Sequence, residues 1–134
     1  LHRRLRFDCI VVALMAWQFF TKEEMACRHC GECEMDETFM NDLDWPREKY
    51  GNALRITSGF RCADHNETVS STGRNGPHTT GRAADISIDR TNAYELSKII
   101  LRGPFTGVGF AQKGGSRFIH VDTLQENRPT IWTY

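Results

Sequence analysis

The 134 residues predict an α+β fold: one compact domain with a small, mainly antiparallel sheet and flanking helices. Two observations carry this expectation. Apolar and polar residues alternate at 54–61, 85–89, 106–112 and 117–123, the period of half-buried strands. The elements also follow the order helix, helix, strand, loop, strand, helix, strand, strand, with helices gathered early and a final strand pair. A chain of this length forms one domain with a real hydrophobic core.

Each element has a local cause. Thr21 with Glu24 three residues on is a capping-box pattern, opening a short helix in TKEEMAC. A second helix is expected from about Asp36 to Asp44, with Phe39, Met40 and Leu43 on its apolar side. Pro46 then starts a separate helical turn that ends at Gly51. In LRITSGFR, Leu54 and Ile56 point one way and Arg55, Thr57 and Arg61 the other. Residues 62–81 are rich in Gly, Ser, Thr and Asn and read as a long loop with one helical turn near Glu67. Loops of that length inside a small domain usually serve function. In NAYELSKIILRGP, Asn92 is the expected cap, Ala93, Leu96, Ile99 and Ile100 form the stripe, and Gly103-Pro104 ends the helix. The turn KGGS joins the last two strands.

Composition excludes some functions. Lys plus Arg and Asp plus Glu both number 17, a formal charge of zero. A nucleic-acid binder would carry a basic excess, so none is expected as a partner. No apolar run reaches the roughly 18 residues of a membrane helix, so no membrane partner is expected either. Residues 1–16 read as an N-terminal extension and 17–134 as the domain. Arg3, Arg4 and Arg6 before an apolar stretch superficially resemble a secretory signal, but Asp8 interrupts it and no A-x-A site follows. The expectation is therefore synthesis in the cytoplasm. Oligomerisation has no sequence signal, and a monomer is expected.

The chemistry gathers in GPHTTGRAADI and RFIHVD. His78 and Asp85 stand seven positions apart across glycines. Asp85 faces away from Ile86, while Phe118, His120 and Asp122 share the strand face opposite Ile119 and Val121. Two imidazoles and a carboxylate are ligands that zinc accepts, leaving a fourth position for water, which the ion acidifies. The same residues also fit a hydrogen-bonded surface histidine, a turn-capping aspartate and an H-x-D surface pair. Spacing alone leaves both readings open.

Taken together, SGFRCADHN, SSTGRNGPHTTGRAADI, RFIHVD and a terminal Trp resemble the zinc peptidases of the D-alanyl-D-alanine carboxypeptidase and L-alanyl-D-glutamate endopeptidase group, especially its small single-domain bacterial and phage forms. The likeness covers about residues 17–134 in the same order. It implies that His78, Asp85 and His120 bind Zn2+ and that Arg61 binds substrate or stabilises the transition state. It further implies hydrolysis of peptidoglycan stem peptides, internal or terminal. A protein made in the cytoplasm would then reach the cell wall by release at lysis, or act on wall fragments. Arg61 suits either role, since a guanidinium can steady an oxyanion or hold a carboxylate.

One position departs from the pattern. Many members carry an acid three residues before the last histidine as general base, where this chain has Arg117. Asp122, on the His120 face, is the first substitute; its other reading is as a residue that orients His120 or Arg61. Asp64, Glu67 and Asp89 are outsiders. The departure also supports an alternative function, an inactive zinc module that grips wall peptide or a protein partner. Of five cysteines, Cys27, Cys30 and Cys33 form C-x2-C-x2-C, with Cys62 later. They fit a structural zinc site, free thiols or one disulfide.

Overall fold

The computed structural model describes residues 17–134; the expected N-terminal extension and its signal-like stretch lie outside the described residues. The elements run α1 (Lys22–Met25), α2 (Glu37–Tyr50), β1 (Arg55–Ser58), α3 (Ala63–Val69), 3-10 turns at Gly73–Asn75 and Pro77–Thr80, β2 (Ala83–Ser87), α4 (Arg90–Ile100), β3 (Gly107–Ala111), β4 (Phe118–Asp122) and β5 (Thr130–Thr133). The strands form one sheet ordered β1-β2-β4-β3-β5, with all pairs antiparallel except β3 with β5. The α+β expectation holds. No helix among the described residues is long and apolar enough to cross a membrane.

Alternation sorts the two faces of the sheet. Ile56, Ala84, Ile86, Val108, Ile119 and Val121 are buried on one face, in a core shared with Phe39, Met40 and Leu43 of α2 and Ala93, Leu96 and Ile100 of α4. In the β2–β4 register, Ala84 pairs with Val121 and Ile86 with Ile119, so the intervening pair, Asp85 with His120, must face the other way.

Several boundaries moved for physical reasons. The Thr21 hydroxyl does cap α1, accepting the Glu24 N–H at 3.2 Å. Two expected helical pieces are instead the single helix α2, with Pro46 inside it. Asp36 caps it by accepting the Phe39 N–H at 2.8 Å, and Gly51 closes it at φ +80°. Pro46 forfeits one backbone hydrogen bond, yet it is buried on the same face as Phe39, Met40 and Leu43, and packing carries the helix through. β1 is shorter than expected. A bulge falls between Ile56 and Ser58, and beyond it the Phe60 N–H bonds the Met25 carbonyl, so Arg61 lies past the strand's end. α4 begins at Arg90, before the expected cap Asn92, because the Ala93 N–H already reaches the Asp89 carbonyl at 3.0 Å. β5 is additional.

Candidate metal centre

One transverse row of the sheet builds the site. Ser58 pairs with Asp85, Asp85 with His120, His120 with Gly109, and Gly109 with Trp132, one residue from each of the five strands. His78 reaches the row from the 3-10 turn Pro77–Thr80, started by a proline and closed by Gly81 at φ +74°. The Arg61 N–H ties this turn to the end of β1 by bonding the His78 carbonyl at 3.1 Å.

The three expected ligands converge. Asp85 Oδ1 lies 3.2 Å from His78 Nε2 and 3.0 Å from His120 Nδ1, and one donor atom from each residue falls within 4.8 Å of the others. A tetrahedral zinc ion with N and O ligands near 2.1 Å separates neighbouring donors by about 3.4 Å, so the triangle is nearly of the required size. The ring nitrogens turned away are also engaged. His78 Nδ1 faces the Gly59 carbonyl at 2.9 Å, and His120 Nε2 faces Asp122 Oδ2 at 2.8 Å. Such contacts fix ring orientation and leave the inward nitrogens for a metal. The residues present therefore fit zinc.

Burial sets the electrostatics. His78, Asp85, His120 and Asp122 are 5 %, 9 %, 2 % and 0 % exposed. Burial alone would raise the Asp85 and Asp122 carboxyls. Hydrogen bonds from His120 and His78 to Asp85, and from His120 and Arg128 to Asp122, outweigh it and hold both well below the usual carboxylate range. Burial likewise opposes charge on His120, but a carboxylate on each ring nitrogen wins and raises its pKa. Without metal, the line Asp85–His120–Asp122–Arg128 alternates in sign.

Asp122 is fully committed in this geometry. Its oxygens meet Arg128 Nε at 3.0 Å and Arg128 Nη2 at 2.9 Å, and the carboxylate stands on the side of the His120 ring opposite Asp85. A Cβ on Gly107 would overlap this pair, so the glycine makes its room. Arg61 is held by neutral partners, Nη1 to Asn66 Oδ1 at 2.8 Å and Nη2 to Ser58 Oγ at 2.9 Å. It has no carboxylate within ion-pair distance among the described residues, so its charge faces the cleft uncompensated. That cleft, about 550 Å³, lies over the His78–Asp85–His120 triangle and includes Arg61, Ser71, Thr72, Trp132 and Tyr134 in its walls.

The outsiders lie elsewhere. Asp64 and Glu67 pair with Arg74 in solvent at 2.6 and 3.0 Å, Asp89 precedes α4, and Arg117 bonds the Gly114 carbonyl in the β3–β4 turn. Among the described residues lining the cleft, Asp85 is the one carboxylate. Arg128, Asn66 and Ser58 were not anticipated. Nothing in their spacing marks them, because each acts through a partner brought near by the fold.

A buried two-histidine, one-carboxylate triangle under an open cleft, with an unpaired guanidinium at its edge, is a group of side chains that could hold a metal ion. The sequence profile described as Peptidase M15 matches residues 18–122, most of the chain, and the chain belongs to that family. No curated protein shows a significant match. Membership implies a hydrolase acting on peptide bonds; the family is zinc-dependent and acts on peptidoglycan peptides.

Proposed function

We propose that this chain is a zinc-dependent peptidase that hydrolyses peptidoglycan stem peptides, with His78, Asp85 and His120 as the metal ligands. The observation that carries the reading is the triangle itself: three inward donors, with a carbonyl and a carboxylate holding the outward ring nitrogens. Bound zinc would supply Lewis-acid polarisation of the scissile carbonyl and acidify a water. The chain's own residues do the rest. Arg61, anchored by Asn66 and Ser58, presents a fixed positive charge to the developing oxyanion or the peptide carboxylate. Asp122 acts as a positioning residue, holding the His120 ring so that Nδ1 points at Asp85, with Arg128 fixing Asp122 in turn. Trp132 packs against the His120 ring at 5.1 Å between centroids and shields one flank.

A second reading, a zinc module that grips wall peptide without cutting it, is favoured by two observations. No carboxylate other than Asp85 lines the cleft among the described residues, and Arg117 stands at the position expected for a base. Incubation of the full chain with a defined stem peptide, followed by mass spectrometry, separates the two. Cleavage that chelator removes, zinc restores and His78→Ala abolishes is the expected result. Stoichiometric zinc with no bond cut means the binding module. The product masses also show which bond breaks.

A further inference from the structure

Outside the cleft, three thiols meet. The sulfurs of Cys27, Cys30 and Cys62 lie within 4.8 Å of one another, although Cys27 and Cys62 are 35 residues apart. After α1 the chain turns through Arg28–Cys30. The Gly31 N–H closes onto the Cys27 carbonyl at 2.9 Å, and the Cys27 N–H onto the Glu32 carbonyl at 2.7 Å. Gly31 sits at φ +76° with open space where a Cβ would stand, so the turn geometry alone requires glycine. This C-x2-C-G turn folds the second thiol back over the first.

The third thiol comes from Cys62, the cap residue of α3. Its N–H donates to Cys27 Sγ at 3.3 Å, and its own sulfur accepts the His65 N–H at 3.4 Å. Amide hydrogens aimed at these two sulfurs suit thiolates, the form that ligates metals. The two segments are already in register. The Phe60 N–H bonds the Met25 carbonyl at 2.8 Å, and a Cβ on Gly59 would stand 2.6 Å from that same oxygen. Cys33 lies outside the cluster, partly buried against the core.

We propose that Cys27, Cys30 and Cys62 form a second metal site, separate from the cleft, that binds a soft divalent ion such as zinc as three thiolates. Three thiolates match the ligand preference of such an ion and leave one tetrahedral corner for water or an imidazole. The imidazoles of His29 and His65 stack beside the turn at 5.5 Å. Binding expels the thiol protons and involves no change of oxidation state. The ion pins the segment after α1 to the turn that carries Arg61 and Gly59, whose carbonyl orients His78. The site is structural and stands whether or not the cleft cuts a peptide.

The test uses the full chain, reduced, stripped of metal, and reloaded with Zn2+ or Co2+ before dialysis. Two zinc equivalents per chain are expected by elemental analysis, with a sulfur-to-cobalt charge-transfer band in the cobalt form. His78→Ala should drop to one equivalent and keep the band. Cys30→Ser should also drop to one equivalent but lose the band, and added to His78→Ala it should abolish the zinc-dependent rise in Tm that His78→Ala retains. Cys33→Ser should keep both equivalents. Cys30 is exposed, so its serine variant disturbs no packing, and the wild-type cobalt spectrum decides the matter without any variant. A wild-type chain that shows no thiolate band, or keeps the full band after Cys30→Ser, overturns the proposal, whereas one equivalent with the band intact means only that the cleft holds no zinc.

Discussion

Asp122 shows how one carboxylate's role depends on which side of a ring it occupies. It shares a strand face with His120, yet its oxygens bind His120 Nε2 and the Arg128 guanidinium, while the other ring nitrogen, Nδ1, looks toward Asp85. Asp122→Asn keeps the volume but removes the charge that fixes the ring. A positioning role predicts that zinc affinity and kcat/KM fall together, each by about 10–100-fold. A proton-accepting role would lose rate while zinc affinity stayed unchanged. Zinc competition against a chromophoric chelator, run beside peptide hydrolysis, gives both numbers. Alternation placed Asp122 on the correct face from sequence, because strand period 2 is local. It could not show Arg128, six residues on, curling back to occupy the same carboxylate.

At the scale of elements, the site depends on a sheet row that includes one absent side chain. Gly109 stands between His120 and Trp132, and a Cβ there would lie 2.6 Å from the indole ring. The Gly109 backbone is not left-handed, so space alone demands the glycine. Gly109→Ala should displace Trp132 and loosen β5, costing about 1–3 kcal/mol as an overpacked site. The checks are denaturant unfolding and a red shift of tryptophan emission, with zinc still binding because Asp122 continues to hold His120. The strands that carry Asp85 and His120 were legible because alternation marks a half-buried sheet. β5 was not, although Thr130, Ile131 and Trp132 have high strand propensity, since a four-residue run gives alternation little to show. Pro46 misled for the opposite reason. The residue disfavours a helix locally, and burial of its face in the core overrides that preference.

For the molecule as a whole, the proposed zinc site would set protons and metal in competition for the same buried line of groups, and the sign of each shift fixes the outcome. Asp85 and Asp122 titrate below their ordinary value of 3.8, so in the metal-free chain their stabilisation is present above about pH 4 and is lost as pH falls through their folded values. His120 titrates above its ordinary 6.5, so its stabilisation is complete below that pH and is lost as pH rises through its folded value. The metal-free protein should therefore have its highest Tm between about pH 4 and 6.5 and soften on either side. Zinc reverses the upper limb, because a metal at His120 Nδ1 displaces the proton that faces Asp85. Affinity should rise about tenfold per pH unit until His120 has lost that proton in the free chain. At neutral pH, free zinc 100-fold above its dissociation constant should add about 2.7 kcal/mol, or about 10 °C in Tm for a domain of this size. Scanning calorimetry of Cys30→Ser, with and without zinc from pH 5 to 8, isolates the cleft. A zinc-induced shift that stays constant across that range would mean that His120 does not exchange a proton for the metal.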